Sequence, residues 1–280
     1  MSVNQFIPTL WSATMLKARD RKYIAIDGCN RNYEGEIKQK GDKVKILSIG
    51  DITVSDYTKN NFSTGLTTQL IDDESTMLEI TESKYFNFAV DDVDKAQANQ
   101  DVMKEAMRKS GLALNNVADK FIFAKYADAG NKITNATVTS ANITSIMASA
   151  LQKLYENDVP EGEEIRFEVT PDIYTKLVIA KIVKDTNNSS TLTNGKVGEY
   201  LGVAIHLSNN VVKTGNVSNC IMRTKEAASY AEQIRDVEAY RLTSEGFGDA
   251  VKGLMLYGAK VVKPAEMVWL ELTPAAETGI

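Results

Sequence analysis

The chain has 280 residues, of which 43% are hydrophobic and 25% are charged, and its formal net charge at pH 7 is -5. This composition is typical of a folded protein with a sizeable core, and it excludes a disordered or fibrous chain. The acidic balance argues against a protein that holds nucleic acid phosphates on a basic face.

The N-terminus and the cysteines exclude further classes. The start MSVNQFIPTLW lacks the basic residues and long apolar run of a signal peptide. No apolar stretch approaches the roughly 20 residues of a membrane helix, so no membrane partner is expected. Cys29 and Cys220 lie far apart and in no metal-binding spacing, which favours two inert thiols. We therefore expect a protein that is made and used in a cytoplasm.

The first part of the chain combines a short helix with extended segments. Residues 8–22 carry a helical pattern. A period-two pattern at 43–47 and again at 52–55 predicts strands. Gly50 and Asp51 lie between them and allow either a tight turn or a bulge within a longer hairpin.

Residues 34–75 together form an extended excursion with few apolar anchors, because 56–75 is polar and turn-rich. A two-stranded hairpin of this kind is marginal alone, so we expect it to rest on a partner. Its scattered charges are usually a solvated strand face, and as ion pairs with a neighbour each is worth about 0–1 kcal/mol. The candidate contact residues are Lys38, Lys43, Lys45, Asp51, Asp56 and Lys59.

A strand and a long helix follow this excursion. Residues 77–90 have strand character, with Phe86 and Phe88 on one face. Residues 97–127 predict a helix about 45 Å long, which would act as a beam. Its predicted apolar stripe is Met103, Met107, Leu114, Val117, Phe121 and Ala124.

A separate α/β unit is predicted after Gly130, and it begins with a helix capped by Thr139 or Ser140. The expected elements are a helix to residue 155, a strand over 165–169, a helix starting at 170–172, a flexible loop over 185–196, and strands at 203–207 and 220–223. The closing stretch 230–264 reads as two extended arms joined by a Gly-rich turn.

No pattern in the chain predicts catalysis or a cofactor. His206 is the only histidine, and no nucleophile elbow accompanies it, so it is expected to face solvent or a partner. The cluster Asp91, Asp92 and Asp94 lacks a calcium-binding loop pattern, and helix capping explains it more simply. The glycines match neither a phosphate-binding loop nor a dinucleotide fingerprint. We therefore predict no catalytic, cofactor-binding or metal-binding residue, and no enzyme.

Three stretches of the sequence resemble one family, in the same order. The first combines FIPTLWS at 6–12 with YEGE at 33–36 and GDKVK at 41–45. The second is GKVGEYLGVAIHLSNN at 195–210, and the third runs from 231 to 262. Together they make the chain similar to the major capsid proteins of tailed bacteriophages, which have the Hong Kong 97-type fold.

The resemblance implies an α+β Hong Kong 97-type capsid fold. Its implied parts are an N-terminal arm at 1–33, an extended β-hairpin loop at 34–75, a peripheral domain with a long spine helix at 76–132, an inserted α/β axial domain at 133–234, and return strands of the peripheral domain with the C-terminus at 235–280. In this family the extended loop lies over an adjacent subunit. The axial domain clusters at the centre of pentamers and hexamers.

The implied function is that of a structural coat protein, which self-assembles into the pentamers and hexamers of an icosahedral head around double-stranded DNA. The implied partners are copies of the chain itself, a separate scaffolding protein, a portal and decoration proteins, with DNA met only by non-specific proximity. The implied location is the virion capsid, assembled in the host bacterial cytoplasm. Some relatives cross-link a loop lysine to a neighbour. We expect Lys38 and Lys59 to be ordinary surface lysines.

Two alternatives stay open from the sequence. One is an encapsulin-type shell that holds protein cargo instead of DNA. The other, more remote, is a soluble hydrolase that uses His206.

Overall fold

The computed structural model describes residues 24–33, 43–49, 54, 56, 73–91, 101–160, 162–180, 196–242 and 248–275. The helices of this part are α1 (Asp101–Phe123), α2 (Ile143–Tyr155) and α3 (Pro171–Ile179). Its strands are β1 (Lys43–Ile49), β2 (Asp73–Glu79), β3 (Glu82–Asp91), β4 (Asn131–Val138), β5 (Ile165–Val169), β6 (Lys196–Tyr200), β7 (Val203–Leu207), β8 (Lys213–Thr214), β9 (Val217–Arg223), β10 (Ala228–Leu242), β11 (Gly248–Val261) and β12 (Met267–Pro274).

A mixed seven-stranded sheet carries most of the core. Its strand order is β4-β12-β9-β5-β7-β6, with β8 paired to β9. The β12–β4 and β5–β7 pairs are parallel, and the other pairs are antiparallel. Alternate residues such as Phe167, Ile205 and Leu270 are fully buried and share one hydrophobic cluster with the buried faces of α2 and α3. Helices α2 and α3 therefore pack on this apolar face of the sheet.

A second sheet of three strands, β10-β11-β3, supports α1. The edge of the Phe121 ring meets the Tyr257 ring, with 5.3 Å between centroids. Gly253 lies under Phe86, where an added Cβ would be 2.2 Å from the ring. The long antiparallel ribbon of β10 and β11, predicted from 230–264, is confirmed.

The hairpin of β1 and β2 has its base fixed on the second sheet. The two strands pair antiparallel from Lys43 opposite Glu79 to Ile49 opposite Asp73. A separate small cluster covers the inward face of this base. The cluster consists of Val44, Ile46, Leu78, Ile80, Ala231 and Leu256. At Gly258 of β11 an added Cβ would lie 2.2 Å from the carbonyl oxygen of Glu79, so the backbones are in close contact.

The pairing of β1 decides between the two hairpins that the sequence allows. Because β1 pairs with β2, the longer hairpin is confirmed, whereas Gly50 and Asp51 lie outside the described residues. The predicted boundary between 75 and 76 falls inside β2, so residues 76–79 pair within the hairpin. The predicted helix at 8–22 and most of the predicted loop at 185–196 lie outside the described residues.

The C-terminal strand joins the seven-stranded sheet. The range 235–280 is predicted to hold return strands of the peripheral domain and the C-terminus, and its last strand, β12, lies between β4 and β9. The fully buried Val268, Leu270 and Leu272 alternate along it and join the core of the α/β unit. Strand β4, its parallel partner, was not predicted because its apolar residues are few.

The end of α1 and the start of α2 differ from the prediction. Helix α1 ends at Phe123, and a 3-10 turn continues to Asp128. Its buried stripe runs through Ala118 and Ile122, whereas Val117 and Ala124 are exposed. For α2 the residue at the N-cap position is Asn142, not Thr139 or Ser140; its side-chain oxygen accepts the backbone N–H of Thr139 at 2.8 Å. None of the described helices has the length and apolar content needed to cross a membrane.

The close contact at Gly258 generates a prediction. Replacing Gly258 by alanine should push Glu79 away and lower the free energy of unfolding by roughly 1–3 kcal/mol. Gly215→Ala is a reference for backbone strain alone, because its site is open and only its positive φ of 64° opposes a side chain. Urea unfolding of the purified chain measures both variants, and a Gly258→Ala variant as stable as the wild type would contradict the proposed role of the close contact.

Candidate functional site: assembly surfaces and a buried polar joint

The outward face of the hairpin base carries part of the predicted contact set. Lys43 and Lys45 are exposed, while Val44 and Ile46 face the small cluster. Lys43 forms an ion pair with Glu79 of its own chain. Asp56 is exposed further along the chain. The other predicted contact residues, Lys38, Asp51 and Lys59, lie outside the described residues.

A second surface is an open groove on the outer side of α2. It has a volume of about 530 Å³ and lies between the helix and the turn that joins β6 to β7. Its lining consists of Ala148, Leu151, Gln152, Tyr155, Glu156 and Leu201. Tyr155 is 44% exposed and Leu201 is 54% exposed, so the groove presents apolar surface to solvent.

The backbone of Leu201 makes its exposure unusual. Leu201 has φ of 53° and Gly202 has φ of 76°, so both lie in the left-handed region in a two-residue turn. The left-handed conformation costs a residue with a Cβ roughly 1–2 kcal/mol. The exposed leucine side chain recovers little of this cost by burial, since over half of it faces solvent. The subunit alone therefore gives no stability reason for a leucine here.

Behind these surfaces lies a buried polar joint, which we define as Asp119, Glu168, Arg223 and Cys29. The side chains of Arg223 and Glu168 are 1% and 0% exposed. The guanidinium donates from Nε to Oε2 of Glu168 at 3.2 Å and from Nη2 to Oε1 at 2.8 Å. Its remaining N–H groups donate to the carbonyls of Gly28 and Ala25 and to Sγ of Cys29. All five donors of the guanidinium are thus used.

The joint holds residues 24–33, which we call the hook, against the seven-stranded sheet. The hook also forms a bridge to β10, where Asn30 donates to the carbonyl of Ala228 at 2.8 Å and accepts from Tyr230 at 3.0 Å. At Gly28 an added Cβ would be 2.9 Å from Nη2 of Arg223. Only glycine therefore lets the hook approach the guanidinium closely.

Helix α1 contributes Asp119 to the joint. This side chain is 3% exposed, and its carboxylate accepts hydrogen bonds from the backbone N–H groups of Ile24 and Ala25 and from Asn210. Burial, together with repulsion from Glu168, raises the pKa of Asp119 to about 7, and those hydrogen bonds oppose the shift. The joint is therefore a site where α1, the hook and the sheet meet through ionisable groups.

The prediction that His206 faces solvent or a partner is wrong, since the residue is only 4% exposed. Strand β7 lies inside the sheet between β5 and β6, and His206 stands opposite Glu168 in the register. Strand β7 is covered on both faces, and the pattern of residues along the strand does not indicate what covers each face. Sequence reasoning also missed the buried Asp119, Asn115 and Arg223, for which no local pattern gave a signal.

The chemistry available in this part of the chain is limited. Burial raises the pKa of both cysteine thiols, to about 12 for Cys220, so both are expected to be protonated at neutral pH. Both are buried and free. Among the described residues no group of three or more His, Cys, Asp and Glu side chains is arranged to hold a metal ion. Asp92 and Asp94 lie outside the described residues.

Comparison with known proteins decides the family. A model of the phage capsid protein family matches residues 34–273, which spans most of the chain. The chain belongs to the phage capsid protein family. No curated protein matches it.

Solved structures agree with this family. A structure from Mycobacterium phage Che8 is 28% identical with a TM-score of 0.71, and the match covers 89% of this chain and 91% of that one. A capsid structure of the cyanophage P-SCSP1u is 19% identical with a TM-score of 0.71, covering 91% and 89%. The virus-like particle of Pyrococcus furiosus is 13% identical with a TM-score of 0.61, covering 95% and 100%. The last two matches show likeness of fold alone.

As a member of this family, the chain is a structural protein of the virion capsid and not an enzyme. Its α+β fold is the Hong Kong 97-type capsid fold, and its function is to build a shell with copies of itself. The hydrolase reading of His206 is thereby excluded. The hairpin base, the groove and the joint are accordingly features of a shell subunit.

The joint generates a prediction about stability. Arg223→Met should lower the free energy of unfolding by roughly 3–5 kcal/mol, because Glu168 then stays buried without its partner. Arg108→Met is the control, since Arg108 forms an exposed pair with Glu105 on α1, and it should change stability little. Chemical unfolding followed by circular dichroism measures both. A similar small loss in the two variants would show that the joint is not important for stability.

The strained turn generates a second prediction. Leu201→Asn should raise the free energy of unfolding by up to about 1 kcal/mol, because asparagine tolerates the left-handed region better than leucine. Leu201→Ala is the matched control, because it removes the same apolar side chain without relieving the backbone. Thermal and urea unfolding distinguish them. A less stable asparagine variant than alanine variant would contradict the strain argument.

Proposed function

We propose that this chain forms the pentamers and hexamers of an icosahedral phage head that encloses double-stranded DNA. The observation that carries the proposal is the family match over residues 34–273, supported by the 28% identity to the phage Che8 chain over nine-tenths of both chains. The net charge of -5 suits a wall that does not retain DNA as it enters, so contact with DNA is non-specific.

The proposed contacts between copies are heterologous, with one surface of a subunit meeting a different surface of the next. Contacts of this kind close into rings when the rotation between subunits permits it. The hairpin, with Lys43, Lys45 and Asp56 on its exposed parts, is proposed to lie on an adjacent subunit, and Lys38, Asp51 and Lys59 are proposed to belong to the same contact. Individual ion pairs of this type are weak, about 0–1 kcal/mol, so the shell depends on their number.

The division of labour within the subunit is also proposed. The α/β unit of the seven-stranded sheet, including β12, would form the axial domain at the centre of each ring. The sheet of β10, β11 and β3 with α1 would form the peripheral domain. A separate scaffolding protein, a portal and decoration proteins complete the proposed set of partners, with assembly in the host bacterial cytoplasm.

The alternative is an encapsulin-type compartment with protein cargo. The match to the virus-like particle of Pyrococcus furiosus does not separate the two functions, because it is a likeness of fold alone. The contents of particles isolated from their natural source distinguish the two. Nucleic acid inside supports the phage head, and a single enriched protein inside supports the compartment.

The hairpin provides the sharpest test of assembly. The register of β1 and β2 ends at Ile49 opposite Asp73, so residues 50–72 can be replaced by Asn-Gly while the base and its small cluster are kept. We expect the wild-type chain to form rings or closed particles in electron micrographs. The shortened chain should unfold like the wild type but stay unassembled.

The groove variants provide the control for folding. Leu201→Asn and Leu201→Ala remove the same exposed apolar side chain, yet they are expected to differ in subunit stability. If a lower yield of particles follows both variants equally, the defect lies in assembly and not in folding. A wild-type chain that stays monomeric at high concentration, with or without scaffold, or a shortened chain that assembles normally, would overturn the proposal.

A further inference from the structure

The hook is attached to the rest of the subunit by the polar joint, by a bridge to β10, and by side-chain contacts of Asn30 with Glu226 and of Arg31 with Glu232. Arg223 donates to the carbonyls of Ala25 and Gly28 at 2.8 Å and 2.7 Å. Asp119 accepts from the backbone N–H groups of Ile24 and Ala25. One carboxylate from α1 and one guanidinium from β9 therefore bind neighbouring peptide groups at the start of the hook.

The carboxylate of Asp119 is covered by the hook itself. Its neighbours on the side of the hook are Ile24 and Ala25, and on the other side Glu168 of β5 repels it. Oδ1 of Asp119 is buried and has no hydrogen-bond partner among the described residues. Leaving a buried atom of a carboxylate unpaired is unfavourable, and protonation lowers that penalty because a neutral carboxyl group costs less to bury than a charged one.

We propose that the polar joint is a proton-controlled latch, which holds the hook firmly against the sheet when Asp119 is protonated and loosens it when Asp119 ionises. The proposal concerns the subunit alone and does not depend on the proposed assembly. With Asp119 neutral, the joint holds one negative and one positive group, Glu168 and Arg223, in a matched pair. With Asp119 ionised, the joint carries an additional buried negative charge, which opening of the hook exposes to water.

The direction of the pH effect follows from the two states of the hook. With the hook closed the pKa of Asp119 is about 7, and with the hook open water returns it to the ordinary value of about 4. Closing therefore binds a proton between these two values, so the closed state is favoured at low pH and loses this advantage as the pH rises to about 7. Between pH 5.5 and pH 8 the change amounts to as much as about 30-fold in the closing equilibrium.

Other titratable and charged groups surround Asp119, and the test must separate them. On the sheet and the hook they are Glu168 and Arg166 of β5, His206 of β7, Arg223 of β9, and Cys29 and Asp27 of the hook. Lys120, next to Asp119 on α1, is exposed. Asp27 is exposed, and burial raises the pKa of the Cys29 thiol, which keeps it neutral over this range. His206 is the remaining titratable side chain of this set, so it needs its own variant.

Hydrogen exchange of the full-length chain at pH 5.5 and pH 8.0 tests the latch directly. The reporter amides are Ala25, Cys29 and Asn30, each of which donates a hydrogen bond in the closed hook. After correction for intrinsic exchange, their protection should fall by about 10- to 30-fold from pH 5.5 to pH 8.0. The amides of Ile146 in α2 and Tyr174 in α3, which are hydrogen-bonded elsewhere, should change little and serve as internal controls.

Two variants assign the effect. Asp119→Asn should give the same hook protection at both pH values, because the amide does not ionise. His206→Gln should keep the wild-type change. If His206→Gln abolishes the change, if Asp119→Asn retains it, or if the hook amides of the wild-type chain change by less than about threefold or in parallel with the controls, the latch is wrong. Where the asparagine variant does not fold, the wild-type change and its retention in His206→Gln together decide.

Discussion

The guanidinium of Arg223 is the group on which the arrangement of this subunit depends. A charge in the core is unfavourable unless it is paired and its donors are satisfied, and here all five N–H groups have acceptors. The acceptors come from β5 and from the hook, which is nearly 200 residues earlier in the sequence than Arg223. One side chain therefore fixes three distant segments at a single point, and it requires a carboxylate at 168 and a glycine at 28.

The two faces of the seven-stranded sheet consequently behave differently. The face toward α2 and α3 is apolar, with residues such as Phe167, Ile205 and Leu270, and apolar packing tolerates small shifts. On the opposite face lie Glu168, Arg223 and His206, where hydrogen-bond geometry must be kept. Helix α1 and the hook are thus held by buried, directional, ionisable contacts, whereas α2 and α3 pack on the sheet through apolar contacts, to which α3 adds the exposed ion pair of Asp172 with Lys213.

The sequence predicted those elements whose patterns are local. Alternation located β1, β5, β7 and the ribbon of β10 and β11, and the Thr-Pro-Asp start located α3. It left the outcome open, or missed it, where a partner distant in sequence decides. The pairing of β1 with β2 leaves 23 residues between the two strands, and β12 inserts beside β4 and β9 from the far end of the chain.

The polar joint was missed for a related reason. Alternation along β5 separates Glu168 from Phe167, but it gives no information about what covers each face of the sheet. An alternating polar residue is exposed only when its face meets water, and here α1 and the hook cover it. Asp119 was missed because the predicted stripe of α1 followed Val117 and Ala124 instead of Ala118 and Ile122. The capsid-like stretches in the sequence indicated the fold, yet they gave no indication of the buried polar joint.

Two surface features are difficult to explain for an isolated chain and become reasonable for a member of a shell. The two-stranded sheet of β1 and β2, which pairs with no other strand in the described part of the chain, is marginal by itself and depends on a six-residue cluster at its base. An exposed leucine in a left-handed turn lowers the stability of the subunit without burying its side chain. Sequences generally keep such local conflicts where function requires them. In a protein whose function is to contact copies of itself, the compensating burial lies in the neighbour, so the assembled shell is the state in which these residues are consistent with the rest of the fold.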